Sequence, residues 1–466
     1  MGEIKLEKNL KLLNCISILI GIIVGTGIFI SPKEVIENCG SIGLSLVIWV
    51  GCGVFSMFGA IAYTELGCMI PKAGGEYEYL MVAFGKLSGF LFIWTFIIII
   101  LPATFALTAL SFADYVLKPV YDDCEIPKNA RLLLAAASIL IITLVNCVSV
   151  RLTNFLQNFF TIGKVLGVLT IICLGLYCLF MGRVENFANP FEGSRYDPTD
   201  LSLALYNGLY SYSGWSFLNY VVEEIKNPNQ VLPMSIFFGL TAVIVIYLFI
   251  NIAYFTLLTP NEMINSIAVA FSFAEKIIPN ASWLISVFVS LSALGYINGA
   301  LFSASRTIFG AARNNHMPVF LAFINIKFLT PITSILFMAL SSLVCLMFED
   351  VKLLLKISML SEYIFIGSTV AGLLWLRKVQ PKAFRPIKVN IFFPIAFLVL
   401  CAFTIICSIF KSPWDSLLSV LVILLGIPVY IVFVVLEKPK SLQRKIDGFT
   451  VFMQKLTYSV FDDSSE

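Results

Sequence analysis

Charged side chains and histidines are scarce in this sequence. Only 13% of its 466 residues are Asp, Glu, Lys or Arg, and there is a single histidine, His316; soluble globular domains typically contain about 25% charged residues. The 11 cysteines show no Cys-X-X-Cys or Cys/His spacing, so the sequence predicts no metal site. Since no nucleophile–base constellation is visible either, we predict no catalytic residues, no cofactor and no enzymatic activity.

Long hydrophobic runs dominate instead, because 59% of the residues are hydrophobic. Apolar windows of about 20 residues predict an all-α protein of the lipid bilayer with twelve spans, near 14–37, 43–66, 89–117, 132–150, 159–181, 201–222, 234–258, 282–305, 332–348, 353–376, 391–410 and 415–436. Lys and Arg are concentrated in alternate loops, above all in 377–388 and 438–455. This bias predicts that both termini are cytoplasmic. It also accounts for the net charge of +3, which therefore does not indicate nucleic-acid binding.

Two of the predicted spans are interrupted by glycine. The first contains Gly25-Thr26-Gly27, and the sixth contains Tyr210-Ser211-Tyr212-Ser213-Gly214-Trp215-Ser216. Each glycine costs about 1 kcal/mol of helix propensity relative to alanine. Unwound backbone at membrane depth is tolerated only where protein or a water-filled cavity satisfies its polar groups. The two tracts therefore predict broken helices at a binding site, although membrane helices are also richer in glycine in general.

The spacing of the breaks predicts an inverted repeat. The starts of the two interrupted spans, the first and the sixth, are five spans apart, and an odd number reverses the direction of the chain through the membrane. We therefore expect five plus five helices with binding at the midplane. The predicted units are a cytoplasmic arm (1–13), the first repeat (14–181), the second repeat (201–376), two extra helices (391–436) and a cytoplasmic tail (437–466).

A site between two broken helices suits a small zwitterion. The half-helix after Gly27 presents free N–H groups and a positive dipole end, which favour a carboxylate. The half-helix that ends near Tyr210 to Ser213 presents carbonyls and a negative dipole end, which favour an ammonium group. This pattern predicts an amino acid substrate held by Ile23, Gly25, Thr26, Gly27, Tyr210, Ser211, Ser213, Gly214, Trp215 and Ser216. For Trp215, aromatic packing at a kink is an open alternative.

Five motifs resemble the L-type amino acid transporter light chains of the amino acid, polyamine and organocation superfamily. They are GIIVGTGIFISP (21–32), AYTELG (62–67), SYSGWSFLNYVVEEIKNP (211–228), the stretch 298–318 and RPIKVN (385–390). The resemblance runs from about residue 10 to 440. It implies a twelve-helix fold of the leucine-transporter type that exchanges one amino acid for another by alternating access.

The resemblance assigns roles to two buried positions. Lys164 lies in the fifth span, where an ammonium costs about 2.5 to 3.5 kcal/mol unless it is paired or extends to the interface. In sodium-independent relatives, a lysine at the matching position takes the place of a sodium ion beside the broken first helix. Extension to the cytoplasmic face is the alternative. Tyr210 matches the aromatic that gates the site from outside.

Three positions depart from the family. Tyr210 replaces the more usual Phe, and Ser216 stands where relatives often have Asn or Asp. Glu362, in the tenth span, stands where neutral-substrate relatives carry Asn and a relative that moves anionic amino acids carries Arg. An acid at that depth is a functional-site candidate, and we expect Glu362 to pair the side-chain cation of a basic substrate. Pairing with Lys352 or Lys356, or protonation, are alternatives.

Cys124 lies in the predicted external loop between spans 3 and 4. An exposed cysteine without an obvious partner in an oxidising compartment suggests an intermolecular disulfide, with a free thiol as the alternative. It matches the loop cysteine by which similar light chains bond to a single-span glycoprotein heavy chain. The implied partner predicts location in a eukaryotic plasma membrane.

Alternatives from other classes remain at this point. The chain could take up polyamines or cationic amino acids by proton coupling or as a uniporter, with Glu362 as the titrating group. It could also be a transport-inactive receptor or scaffold that retains the fold.

Three further acids, Glu65, Glu223 and Glu224, lie near predicted cytoplasmic span ends, where we expect solvated side chains or gate-lining salt bridges.

Overall fold

The structure is a computed structural model that describes residues 10–72, 74–121, 124–348, 351–436 and 440–461. Residues 1–9 of the predicted arm, and 437–439 and 462–466 of the predicted tail, lie outside the described residues. Most described residues are helical. The strand structure among them consists of a parallel bridge between Leu10 and Ile225 and a pair of three-residue strands, β1 (Phe323–Asn325) and β2 (Ser459–Phe461).

The first predicted span is a broken helix. It consists of α1 (Leu12–Ile23) and α2 (Gly27–Cys39), which are bent by 52° relative to each other. The next predicted spans are α3 (Ile42–Met69) and a third that contains α5 (Lys86–Thr95), a π turn and α6 (Leu101–Leu117). Between them lies a short helix, α4 (Glu76–Phe84). The fourth and fifth spans are α7 (Lys128–Val148) and α8 (Val150–Phe180).

The sixth span is also broken, as predicted. Helix α9 (Pro198–Tyr212) is followed by four non-helical residues and a 3-10 turn, Phe217–Glu224. The remaining helices are α10 (Pro228–Leu257), α11 (Pro260–Asn265), α12 (Val269–Ile277), α13 (Ser282–Arg313), α14 (Ile332–Leu346), α15 (Val351–Val379), α16 (Phe392–Lys411), α17 (Pro413–Tyr430) and α18 (Lys440–Thr457).

Every predicted span has a helical counterpart among the described residues. Nine helices are long and apolar enough to cross a membrane, and the bent pair α1 and α2 makes a tenth. The other two predicted spans correspond to α9 and α14, which have 15 residues each. Helix α9 is short because its span is interrupted, so length and composition alone would miss it.

The helices that position the site pack on one another through buried apolar faces. Helix α10 lies against α1 and α3, α2 lies against α9, and α13 lies against α8 and α6. Burying apolar side chains between helices gives each contact a single preferred arrangement, because interiors are close-packed. The first broken helix is therefore held in place by α10, which packs on α1, and by α9, which packs on α2.

For Glu65, the structure agrees with the salt-bridge alternative. The residue is fully buried rather than solvated, and its carboxylate forms ion pairs with Arg377 and Arg385. The same carboxylate accepts a hydrogen bond of 2.9 Å from the backbone N–H of Val389. An acid in the sequence AYTELG reads as a span-end residue, but the fold brings two arginines onto it from more than 300 residues away. The side chains of Glu223 and Glu224 lie outside the described residues.

Candidate functional site

The first break leaves backbone donors free. Helix α1 ends at Ile23, and the N–H of Gly25 turns back to the carbonyl of Ile23 at 2.7 Å. Helix α2 starts at Gly27 without a side-chain cap from Thr26. Among the described residues, the N–H groups of Thr26, Gly27 and Ile28 make no backbone hydrogen bond. These donors and the positive end of the α2 dipole suit a carboxylate.

The second break exposes the opposite end of a helix. Helix α9 ends at Tyr212. The N–H of Ser213 bonds back to the carbonyl oxygen of Tyr210 at 3.2 Å, and the helix does not continue beyond it to satisfy the other carbonyls of the last turn. Gly214 has φ = 96°, a conformation that L side chains rarely adopt. A Cβ atom at Gly214 would also lie 2.7 Å from Cγ2 of Ile22 in α1. Glycine therefore permits both the turn and its approach to the first break.

The two breaks touch each other directly. A Cβ atom on Gly27 would lie only 2.6 Å from Cα of Ser211, so α2 and α9 approach backbone to backbone. The hydroxyl of Tyr247, on α10, lies 2.7 Å from the carbonyl oxygen of Ile23 and 2.7 Å from that of Ser211. Tyr247 is fully buried. One phenol thus connects the carbonyl end of α1 to that of α9.

A pocket that is partly open to solvent lies at this junction, and both breaks contribute to its lining. Both helix dipoles reach the pocket, the positive end from α2 and the negative end from α9. Its lining residues are Ile22, Ile23, Gly25, Thr26, Gly27, Tyr210, Ser211, Ser213 and Tyr296.

Seven of the predicted substrate-binding residues therefore line one pocket. Gly214 supports the turn without lining it, and Trp215 packs away from it against Tyr63, with ring centroids 4.9 Å apart. Ser216 also lies outside the lining. For Tyr210, the hydroxyl lies near those of Thr108 and Thr26, which supplies the partner that a buried tyrosine needs. Along the second break, residues up to Ser213 line the pocket, Gly214 forms the turn, and Trp215 packs against a neighbouring helix.

Glu362 is one hydrogen bond from the pocket. The hydroxyl of Ser213 donates to its Oε1 at 3.0 Å. Lys356, an alternative partner considered from the sequence, instead contacts Asp415 at 3.2 Å and the Ser412 hydroxyl at 2.9 Å. The side chain of Lys352 lies outside the described residues. Through Ser213, a carboxyl group on α15 is connected to the end of α9.

Lys164 lies against the first break. Its side chain is 4% exposed, and its ammonium donates to the carbonyl oxygen of Gly21 at 2.7 Å. In a continuous helix that carbonyl would accept from the N–H of Gly25, but here Gly25 bonds to Ile23. The break therefore frees the acceptor that Lys164 uses. This contact fits a buried cation at the broken helix better than a lysine that extends to the interface.

Three site residues escaped the sequence analysis. Ile22 lines the pocket beside the first break, and the other two are tyrosines. Tyr296, on α13, lines the pocket, and its Cδ2 would lie 3.4 Å from a Cβ atom on Gly25. Tyr247 bridges the breaks from α10. The available signal was a tyrosine inside an apolar span, since a buried phenol requires a hydrogen-bond partner. That signal does not identify the partner.

The remaining predicted positions lie apart from the pocket. Cys124 is exposed in the loop between α6 and α7, and the 11 cysteines form no disulfide with one another in the described structure. His316 is buried beyond the end of α13, where its Nδ1 lies 2.7 Å from the Tyr77 hydroxyl. Burial lowers the pKa of this imidazole, because its charged form loses hydration. His316 is therefore a buried residue that packs against Tyr77, and it lies outside the candidate site.

The architecture defines a class: a multi-span α-helical membrane protein with a small-molecule pocket between two broken helices. Comparison with known proteins is specific. The chain belongs to the amino acid permease family, whose family model matches residues 10–436. It is 43% identical over 430 residues to the b(0,+)-type amino acid transporter 1 of Mus musculus, covering 92% of this chain and 88% of that protein. The human b(0,+)-type amino acid transporter 1 is 41% identical over the same coverage.

A second group of relatives is similar over the entire chain. The large neutral amino acids transporter small subunit 2 of Rattus norvegicus is 39% identical over 475 residues, covering 100% of this chain and 88% of that protein. The resemblance inferred from five motifs is therefore confirmed, as is an all-α membrane fold. The relatives are transporters by name, which agrees with the expectation of a non-enzymatic protein.

Proposed function

We propose that this protein is a sodium-independent amino acid exchanger that works by alternating access. Under this proposal, the carboxylate of the substrate binds the free N–H groups of Thr26, Gly27 and Ile28. The ammonium group binds the carbonyl end of α9. Tyr210 closes the pocket from the outside. Both termini are cytoplasmic, and the two halves 14–181 and 201–376 form the inverted repeat that alternates access.

One observation carries the proposal: two helix ends of opposite polarity face a single pocket. A zwitterion satisfies both ends at once, whereas an anion or a cation alone leaves one end unsatisfied. The names of the relatives support an amino acid as that zwitterion.

Exchange is tested by efflux of preloaded radiolabelled leucine and arginine from vesicles that contain the purified chain. We expect efflux of both labels to require an amino acid on the opposite side and to be independent of sodium. Efflux that proceeds without any external amino acid and varies with pH would favour a proton-coupled carrier or uniporter instead. If neither substrate moves and neither stabilises the protein, the exchanger proposal is wrong and the receptor alternative gains support.

We further propose that Glu362 extends the substrate range to basic amino acids. Its carboxyl group is held at the pocket by Ser213 at 3.0 Å. A substrate whose α-amino and α-carboxyl groups occupy the two helix ends would direct its side chain outward from the junction. A lysine, arginine or ornithine side chain would then bring a cation to Glu362, where a charge-assisted hydrogen bond can form. One group of relatives is named for large neutral amino acids, and the other is named as a b(0,+)-type amino acid transporter.

Substitution of Glu362 by glutamine should separate the two substrate types. Hydrogen bonds to charged groups contribute about 1.5 to 3 kcal/mol, so the apparent affinity for arginine should fall by about 10- to 100-fold. Leucine uptake should remain unchanged, because Gln can still accept from the Ser213 hydroxyl. The apparent affinities for arginine and leucine are measured from the concentration dependence of radiolabelled uptake. The control Glu262→Gln removes an exposed acid that pairs with Lys276 at 2.6 Å, and it should affect neither substrate. Equal arginine uptake in Glu362→Gln and wild type would refute the assignment.

We also propose that Cys124 forms a disulfide with a single-span glycoprotein heavy chain and that the complex resides in the plasma membrane. The exposed thiol between α6 and α7 is accessible to a partner, and the name "small subunit" of one group of relatives supports an assembly. In native membranes, non-reducing electrophoresis should show this chain in a heavier band that dithiothreitol removes. Cys124→Ser should eliminate the heavier band, whereas Cys173→Ser, which changes another exposed cysteine, should retain it. Persistence of the band in Cys124→Ser would exclude this linkage.

A further inference from the structure

The carboxyl group of Glu76 is buried, and it forms no ion pair with a side chain that the structure describes. Glu76 is the first residue of α4 and is 3% exposed. Within the described part of the chain, its Oε2 has no hydrogen-bond partner. A buried polar atom in this condition is rare in native proteins and calls for an explanation.

An uncompensated acid at this position is unfavourable in the structure as it stands. Burial raises the pKa of the Glu76 carboxyl, because desolvation penalises its charged form. A cation brought beside the carboxylate would compensate for that penalty, provided that further hydrogen bonds satisfy the cation. The surroundings of Glu76 therefore determine whether such a cation can be held.

Hydroxyl groups surround this carboxyl. Those of Tyr220, Ser216 and Tyr63 lie nearby, contributed by the 3-10 turn, the second break and α3. The hydroxyl of Tyr63 also has no hydrogen-bond partner among the described residues. Gly75, directly before α4, brings the chain close to this group, because a Cβ atom there would lie 2.9 Å from the Tyr220 ring. Hydroxyl oxygens and a carboxylate together supply the acceptors that an organic cation needs.

The cluster continues from the central pocket. Ser213 lines the pocket, and two residues later Trp215 packs on Tyr63. Ser216, the next residue, lies near the Glu76 carboxyl. The second break therefore leads from the pocket lining to α4. Because α4 follows the second span, it lies on the side of the chain's N-terminus.

We propose that Glu76, with the hydroxyls of Tyr63, Ser216 and Tyr220, forms a second cation subsite. It would hold the side-chain ammonium or guanidinium of a basic amino acid between the central pocket and the cytoplasm. This inference rests on the proposed exchange of basic amino acids and on cytoplasmic termini. The carboxylate supplies the charge and the hydroxyls accept the remaining N–H donors. Neutral side chains gain nothing from this subsite.

The test measures efflux of injected radiolabelled arginine and leucine from intact cells that express the chain, with saturating external leucine. Glu76→Gln should raise the half-saturating internal concentration of arginine by about tenfold. The values for internal leucine and for external arginine should stay unchanged. In Glu76→Asp, which retains the charge, the half-saturating internal concentration of arginine should lie between those of Glu76→Gln and the wild type. Glu78→Gln removes the same charge two residues further along α4 and should behave as wild type.

The outcomes separate this inference from the proposed function. If Glu76→Gln leaves arginine efflux unchanged, or impairs arginine and leucine equally, the subsite is wrong and the exchanger is unaffected. If the wild-type protein exchanges leucine but not arginine, both the subsite and the basic substrate range are wrong while exchange stands. Should Glu76→Gln fail to reach the cell surface, Tyr220→Phe removes a single hydroxyl of the cluster. A selective but smaller arginine effect is then expected, and its absence overturns the subsite.

Discussion

We expect substitution of Gly27 by alanine to reduce exchange by about 100-fold. The new Cβ atom would lie 2.6 Å from Cα of Ser211 and 3.1 Å from its hydroxyl oxygen, whereas ordinary contacts begin at 3.4 Å. The nearest atom belongs to the backbone, so no side-chain rotation relieves the clash and α2 must move away from α9. A displacement of about 1 Å at a binding constellation can cost about 100-fold in rate. Overpacking adds about 1 to 3 kcal/mol of destabilisation.

The same tract provides a matched control. A Cβ atom on Gly21 would have nothing within 4 Å, and Gly21 lies inside α1, where alanine is about 1 kcal/mol more favourable than glycine. Gly21→Ala should therefore exchange leucine as wild type does. Leucine exchange should be measured in vesicles at equal amounts of folded protein, judged by size-exclusion chromatography. Wild-type exchange by Gly27→Ala would mean that the close approach of α2 and α9 is not required for transport.

Replacement of Lys164 should have the second largest effect. Lys164→Met removes the ammonium while keeping most of the side-chain volume, and it leaves the Gly21 carbonyl without the donor that lies 2.7 Å away. An unsatisfied buried acceptor costs about 1 to 3 kcal/mol, and this one stands at the bend between α1 and α2. We expect exchange to fall by at least about tenfold, for leucine and arginine alike, since the defect lies in the bend and not in side-chain recognition.

A smaller substitution distinguishes the two interpretations of Lys164. Lys164→Ala leaves room beside the freed carbonyl, so a lysine that stands in for a sodium ion predicts that added sodium stimulates this variant and not the wild type. A lysine that only extends to the interface predicts no sodium effect and little loss. The control is Lys276→Ala, which removes a lysine that is 38% exposed and paired with Glu262; surface pairs contribute about 0 to 1 kcal/mol. Sodium-independent, wild-type exchange in Lys164→Ala would refute the substitution role.

Local sequence determined the features that could be predicted. The spans follow from apolar windows, and the breaks at Gly25 to Gly27 and at Ser213 to Gly214 follow from glycines that a simple spanning helix does not need. Opposite helix ends then imply a zwitterion before any tertiary contact is known. The resemblance predicts a role for Lys164, and in the structure its ammonium donates to the Gly21 carbonyl.

The features that were missed depend on contacts between distant parts of the chain. Tyr247 reaches the first break from 224 residues away, and its sequence context is an ordinary apolar helix. Glu65 reads as a span-end acid until Arg377 and Arg385 are folded onto it. In both cases, the residue type indicates that a buried polar group needs a partner, but only the packing of α10 and α15 shows which residue it is. A single sequence does not reveal which distant residues are in contact.

The Tyr247 bridge has a mechanical consequence. A phenol has one proton, so at any instant it donates to only one of the two carbonyl oxygens that lie 2.7 Å away. The two bends are thus coupled through a single proton, which they must share or compete for. A movement that separates α1 from α9 at Tyr247 would leave the phenol with one full hydrogen bond and release the other carbonyl.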